Sequence, residues 1–346
     1  MAQQTTVVTI LGAGAMGSGI ATPFTDAGHT VRLWGTHLDD HLIDAVRAGG
    51  PHPRTNVHLA EGVTTYRAPD LAAALDGAEV VVIAIASVGV RDIATLAAPH
   101  LGGVRGILLL SKGFAADAKG VIQLLPQTVT AAIAPAGHGS IPIVAVGGPC
   151  KANEVAARQP TAPIFAVAQG AADWAALATT PAYRAASSPD CDGVEICAAL
   201  KNVFAIALGA ADGMGEAGDQ PFHDLKAAFF AEALLELRLL LEAEGADPWT
   251  ALGLAGAGDL EVTGLSGRNK VYGSRLGRGQ SAKQALDEMV ALEQTVEGVS
   301  AVKLVTTFVQ QRQPQLAGSL PLLFAIHDVV HADAPLQTLL DAGLPA

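Results

Sequence analysis

The sequence predicts a two-domain α/β chain, with a mainly parallel, doubly wound sheet over residues 1–190 and a mainly helical domain over 191–346. Three observations carry this. A strand, glycine turn, helix and second strand follow one another between Thr5 and Trp34; short apolar runs alternate with Ala- and Leu-rich segments as far as Pro149; and long stretches of helical periodicity fill the chain after Cys191. Repeated strand–helix alternation is the pattern of a parallel sheet covered on both faces, and 346 residues exceed what one ordinary domain needs.

The first unit starts with the β-branched run Thr5 to Leu11, turns at Gly12-Ala13-Gly14-Ala15-Met16-Gly17, and reaches a second strand, Thr30 to Trp34, after Gly28 and His29. A G-x-G-x-x-G string is weak by itself, but here a strand precedes it and a helix and strand follow. Gly12 permits the tight turn, Gly14 lets the backbone approach a pyrophosphate, and Gly17 lets helix and strand pack closely. With Ala15 and Met16 they open a helix whose first N–H groups and dipole suit phosphate. These residues therefore predict a Rossmann-like domain that binds a dinucleotide, NAD or NADP. The acidic residue that would receive the ribose hydroxyls is not clearly present, because Asp39 lies beyond the expected strand end. Arg32 and His37 are candidates for a 2′-phosphate as well as for structural roles, so the choice of cofactor stays open. Pro23, inside the first helix, is expected to remove one helical hydrogen bond and bend it.

Further strands are expected in Ala78 to Ala86, Gly102 to Gly113 and Ser140 to Pro149. Lys112 follows Ile107 to Ser111, at the strand end where open α/β sheets take their ligands, and is a candidate contact for a phosphate or substrate oxygen.

In the second half, Lys201 and Asn202 interrupt a run that is apolar around most of a helix, from Ile196 to Leu208. Such a helix is expected to be buried, and a buried cation needs a partner or a functional reason. Leu225, Phe229, Ala233, Leu237 and Leu240 repeat at helical spacing and read as core. A glycine-rich hinge then leads to Asp259, Thr263, Arg268 and Asn269 within a short span. Arg268 presents a planar donor fork for phosphate oxygens, and Asn269 and Thr263 add directional hydrogen bonds, so the cluster suits a small anionic ligand.

Composition narrows the partners. The 33 acidic residues exceed the 21 Lys and Arg, for a formal net charge of -12, which argues against nucleic acid and anionic lipid. Cys150, Cys191 and Cys197 form no Cys-x-x-Cys pair and read as reduced, mostly buried groups. No P-loop string and no H-E-x-x-H arrangement occurs, so neither kinase chemistry nor a metal site is expected, and His52 and the other histidines read as structural or surface residues. The run Val80 to Val90 is too short for a transmembrane helix. With no charged n-region and apolar h-region at the start, stable membrane insertion and secretion are not expected, and a cytoplasmic location is.

In order along the chain stand GAGAMG, LLSKG at Leu109 to Gly113, VEICAALKNVFAIALGAADG at Val194 to Gly213, GLAGAGDLEVT at Gly253 to Thr263, SGRNKVYG at Ser266 to Gly273 and TVEGVSAVK at Thr295 to Lys303. This set resembles the NAD(P)-dependent glycerol-3-phosphate dehydrogenase family over nearly the full chain. The resemblance implies interconversion of sn-glycerol 3-phosphate and dihydroxyacetone phosphate, with Lys201 as general acid or base and Asn202 beside the substrate. It further implies that Asp259 and Thr263 orient Lys201 and the glycerol portion, and that Arg268 and Asn269 bind phosphate. Lys112 falls at the substrate and nicotinamide site, Glu297 falls near the cofactor, and the assembly implied is a homodimer. Gly267 and Lys270 depart from the bacterial SRNR pattern, Gly264 stands where Cys is common, and GPCKANE at Gly148 to Glu154 departs from GPSFAxE. These departures leave open a dehydrogenase for another small polyol phosphate, and beyond enzymes a catalytically silent NAD-binding regulator.

Overall fold

The computed structural model describes residues 5–168, 173–292 and 294–344. The chain forms two compact units, Met1–Lys112 with Leu124–Glu195, and Gly113–Gln123 with Ile196–Ala346. Its strands are β1 (Val7–Leu11), β2 (Thr30–Trp34), β3 (Thr64–Tyr66), β4 (Val80–Ile83), β5 (Gly106–Leu109), β6 (Phe114–Ala116), β7 (Ile122–Leu124), β8 (Ile143–Gly147), β9 (Ile164–Ala166) and β10 (Ala186–Ser188).

In the first unit β3-β2-β1-β4-β5-β8 run parallel, extended by β9, which is antiparallel to β8, and by β10, parallel to β9. Val80–Ile83 and Ile143–Gly147 are buried throughout, because a parallel sheet covered on both faces has no solvent side to alternate with. Strand order reverses between β1 and β4, the switch point where open α/β sheets bind ligands at their carboxyl ends. The glycine turn leaves the sheet there. The helix after it, Ala15–Asp26, runs on through Pro23 and packs against the short helix Ala152–Ala156; a Cβ on Gly19 would lie 2.7 Å from the Ala152 carbonyl oxygen.

The second unit is built around Cys191–Ala217, whose most apolar window has a mean hydropathy of 1.7. Among the described helices it alone is long and apolar enough to cross a membrane, yet 94% of that window is buried inside the protein, so it is the core helix of a folded domain. Small residues let a second helix, Arg268–Gly277, lie directly on its backbone. A Cβ on Gly209 or Gly213 would sit 2.1 and 2.0 Å from the carbonyl oxygens of Lys270 and Ser274, and one on Gly273 or Gly277 would sit 2.0 and 2.1 Å from those of Ile206 and Ala210. Two Gly-x-x-x-Gly faces thus interlock, and any larger residue there forces the helices apart.

Two further contacts shape this unit. Gly113–Gln123, which the sequence reading placed in the N-terminal domain, belongs to the second unit: Phe114 packs its ring on Phe308, and the Gln311 amide bonds the backbone of Gly120 and Ile122. Glu236, from the helix His223–Ala243, accepts the backbone N–H groups of Leu322 and Leu323 at the start of Pro321–His331. Burial pushes its carboxyl up to about 8 despite those two bonds.

Candidate active site

The glycine loop is made by missing side chains. Gly12 has φ +114°, and a Cβ there would meet the Ala84 carbonyl oxygen at 2.6 Å; one on Gly17 would lie 1.9 Å from the Gly12 oxygen. The helix N-cap is Gly14, with no side-chain cap, and the first intrahelical bond runs from Ser18 N–H to Gly14. The N–H groups of Ala15, Met16 and Gly17 therefore precede the helical ladder, next to the partly exposed, side-chain-free Gly14, the arrangement that takes phosphate oxygens. A dinucleotide fits this loop.

The rim of the loop answers two open points. Asp39 is 7% exposed, and one of its oxygens accepts from the Ala13 N–H, the Thr36 N–H and the Thr36 hydroxyl, so this carboxylate shapes the turn after β2. Arg32 donates to the carbonyls of Ala74 and Asp76, in the last turn of the helix Leu71–Leu75 and just after it, which gives it a structural role. His52 is buried, with Nε2 2.9 Å from the Ala13 carbonyl oxygen. In the sequence it is a lone histidine in His-Pro-Arg, in a loop after the second strand, and its bond to Ala13 gives it the structural role expected there. At the end of β5, Lys112 is half-buried, following Ser111, whose hydroxyl donates to the Ile85 carbonyl at 2.7 Å.

In the second unit, seven of the residues singled out in the sequence fall into two hydrogen-bonded groups, Lys201 with Asp259 and Thr263, and Asn269 with Asn202, Glu297 and Arg268. Lys201, 9% exposed, forms an ion pair with Asp259, 0% exposed. Asp259 opens the helix Asp259–Leu265 directly after a turn in which the Gly258 N–H reaches back five residues to Gly253. Wide turns of this kind recur at functional sites because they re-aim the residue that follows, and a first-turn carboxylate is favoured by the helix dipole. Beside the pair runs a directed chain of amides. The Gly298 N–H donates to Asn269 Oδ1 at 2.8 Å, Asn269 Nδ2 to Asn202 Oδ1 at 2.9 Å, and Asn202 Nδ2 to Glu297 at 3.3 Å. The backbone donor at one end and the carboxylate at the other fix the direction of both side-chain amides. Arg268 meets Glu297 at 3.4 Å with both side chains well exposed, so its donor fork stays accessible. The Thr263 hydroxyl donates 2.6 Å to the Asp259 carbonyl, one helical turn back.

The two parts of the chain match two halves of one family. The N-terminal profile of NAD-dependent glycerol-3-phosphate dehydrogenase matches residues 7–173, and its C-terminal profile matches residues 190–341. The chain belongs to the NAD(P)-dependent glycerol-3-phosphate dehydrogenase family. An NADP(+)-dependent glycerol-3-phosphate dehydrogenase from Archaeoglobus fulgidus is 35% identical over 285 residues, covering 82% of this chain and 83% of that protein. A glycerol-3-phosphate dehydrogenase [NAD(P)+] from Symbiobacterium thermophilum is 34% identical over 336 residues, 96% of this chain and 92% of the other. Among solved structures, glycerol-3-phosphate dehydrogenase from Coxiella burnetii superposes with a TM-score of 0.82 at 29% identity, over 97% of this chain and 98% of that one.

The departures from the glycerol-3-phosphate dehydrogenase pattern have local causes. Gly267 precedes Arg268 with φ +141°, a backbone that disfavours the Ser of the bacterial pattern. At Gly264 the room for a larger residue is taken by Leu208, whose Cδ1 would stand 2.6 Å from a Cβ, so this glycine opens no extra space. Cys150 has its sulfur 3.8 Å from the Tyr183 hydroxyl, and Lys151 pairs with Glu154 at 3.4 Å.

Proposed function

We propose that this protein interconverts sn-glycerol 3-phosphate and dihydroxyacetone phosphate with NAD or NADP, using Lys201 to move the proton. The observation that carries the reading is the buried Lys201–Asp259 pair beside a fixed line of amides, in a chain that also holds a phosphate-cradling glycine loop. Bound NAD(P) supplies the acceptor or donor of the hydride.

The remaining work falls to the chain. In oxidation, neutral Lys201 Nζ accepts the C2 hydroxyl proton; in reduction, the protonated amine returns it to the carbonyl oxygen. Asp259 holds the amine in place through the ion pair. Asn202, its amide already oriented, binds a substrate oxygen, while Arg268 and Asn269 hold the phosphate against the acidic balance of the whole chain. The Thr263 hydroxyl ties back to the Asp259 carbonyl within the helix that Asp259 opens, and Glu297 ends the amide line. The protein acts in the cytoplasm as a homodimer.

Initial rates of reduced NAD and reduced NADP oxidation with dihydroxyacetone phosphate, set against other three- to six-carbon ketose phosphates, test the reading. Dihydroxyacetone phosphate should give the highest kcat/KM. A clear preference for another ketose phosphate, or no turnover with any, overturns it.

A further inference from the structure

The helix Pro321–His331 ends in His327-Asp328-Val329-Val330-His331, two histidines one helical turn apart with a carboxylate directly after the first. Such spacing puts both imidazoles on one face. Ile326, Val329 and Val330 are buried against the domain, whereas His331 is exposed and His327 partly so, and the pair therefore faces outward. Zinc helices present two imidazoles at this same spacing. The expectation of no metal site rested on the absence of H-E-x-x-H, and Asp328 in the Glu position conceals it.

The two ring centroids are 5.4 Å apart, with the planes tilted by 47°. An ion about 2.0–2.1 Å from one nitrogen of each ring, at a tetrahedral angle, requires centroids roughly 5 Å apart. The rings already stand at that separation. Each is also committed at its other nitrogen: His327 Nδ1 lies 3.0 Å from Asp328 Oδ1, and His331 Nε2 lies 2.8 Å from the Val299 carbonyl oxygen, in the first turn of Glu297–Arg312. An ionised carboxylate and a carbonyl only accept, so those nitrogens carry the protons and the lone pairs are left on His327 Nε2 and His331 Nδ1. One imidazole tied to a carboxylate and one to a backbone carbonyl is the arrangement that fixes the tautomer of metal-ligating histidines and raises their basicity. The Val299 carbonyl is itself held, because the preceding Gly298 N–H is bound to Asn269. Both histidines lie in the last two turns of the helix, where its dipole favours a cation.

We propose that His327 and His331 bind one divalent transition-metal ion of the class that imidazole prefers, such as zinc, with Asp328 as the residue that positions His327. Among the described residues no group of three or more His, Cys, Asp or Glu that could hold a metal occurs, so the protein supplies two ligands and water the others. The site is therefore an exchangeable one and not a closed four-ligand centre. Asp328 is spent on His327 and is an orienting group, not a general base. The inference stands independently of the dehydrogenase reading.

Calorimetric titration of the untagged, chelator-stripped full chain with zinc chloride tests this at about pH 7.5, where imidazole is neutral. Wild type should take up one zinc ion per chain at its tightest site and should not bind magnesium there, an ion that prefers oxygen ligands. His327→Ala and His331→Ala should each weaken that site at least about 10-fold through the loss of one ligand. Asp328→Ala should weaken it about 10-fold with the stoichiometry unchanged, and Asp328→Asn, whose amide oxygen still accepts from His327, should recover part of the loss. Zinc should also raise the Tm of wild type and leave that of either histidine variant in place. No zinc uptake by wild type, equal affinity for magnesium, unchanged zinc affinity in either histidine variant, or an equal rise of Tm in all chains overturns the site. Wild-type affinity in Asp328→Ala overturns the positioning role.

Discussion

The glycine loop and the lysine helix prepare for chemistry by opposite means. At Gly12, Gly14 and Gly17 the site consists of backbone left bare, and its geometry is enforced by collisions that any Cβ would cause. At Lys201, Asp259, Asn202 and Asn269 it consists of buried polar side chains held in pairs, Lys201 by Asp259 and Asn202 by Asn269. The first kind of site is specific about shape and tolerant of which phosphate compound fills it. The second is specific about proton and hydrogen-bond pattern, and its burial makes each partner costly to lose.

Breaking the buried pair should give the largest change in stability. Asp259→Ala removes the carboxylate that pairs with the buried Lys201 and should cost about 3–5 kcal/mol in denaturant unfolding. Adding Lys201→Met to that variant should recover most of the loss, since both charges are then gone. A single variant as stable as wild type would show that the pair is hydrated and not held. On the backbone side, Gly17→Ala drives a Cβ into the Gly12 carbonyl, and should cost about 1–3 kcal/mol along with most of the affinity for NADH in titration.

Glu236 sharpens the contrast, being a buried side-chain acid that serves structure. Its folded pKa, about 8, lies above the ordinary 4.5, so the folded state holds the proton more tightly. Its contribution is complete below the ordinary value and is lost as pH rises through about 8. Thermal unfolding should therefore show Tm falling from mildly acidic to mildly alkaline pH, and Glu236→Gln should flatten that slope while lowering Tm at the acid end. The smallest effect on stability belongs to Arg268→Ala. Its ion pair is exposed, so stability should change by less than about 1 kcal/mol. KM for dihydroxyacetone phosphate should nonetheless rise about 10-fold as a phosphate contact disappears.

The parallel strands were legible in sequence because a doubly buried strand must be apolar along its whole length, and Val80–Ile83 and Ile143–Gly147 are. Lys201 was legible for the complementary reason, a charge in a helix with no exposed face. What escaped depends on contacts across the chain. Gly209 and Gly273 look like ordinary helical glycines until the two backbones touch. Gly113–Gln123 continues from a strand of one unit yet packs on Phe308 and Gln311 of the other, which no local pattern encodes. Gly264 stands in the sequence only as a departure from the common Cys, and the space beside it is filled from Leu208 on another helix.

The central claim is that proton transfer resides in Lys201 and cofactor binding in the glycine loop. Measuring kcat with dihydroxyacetone phosphate and, on the same preparation, the NADH dissociation constant of Lys201→Met tests it directly. The expected result is a fall in kcat of roughly 10²–10⁴-fold with NADH binding unchanged. Turnover near that of wild type in a variant with no amine at this position would contradict it.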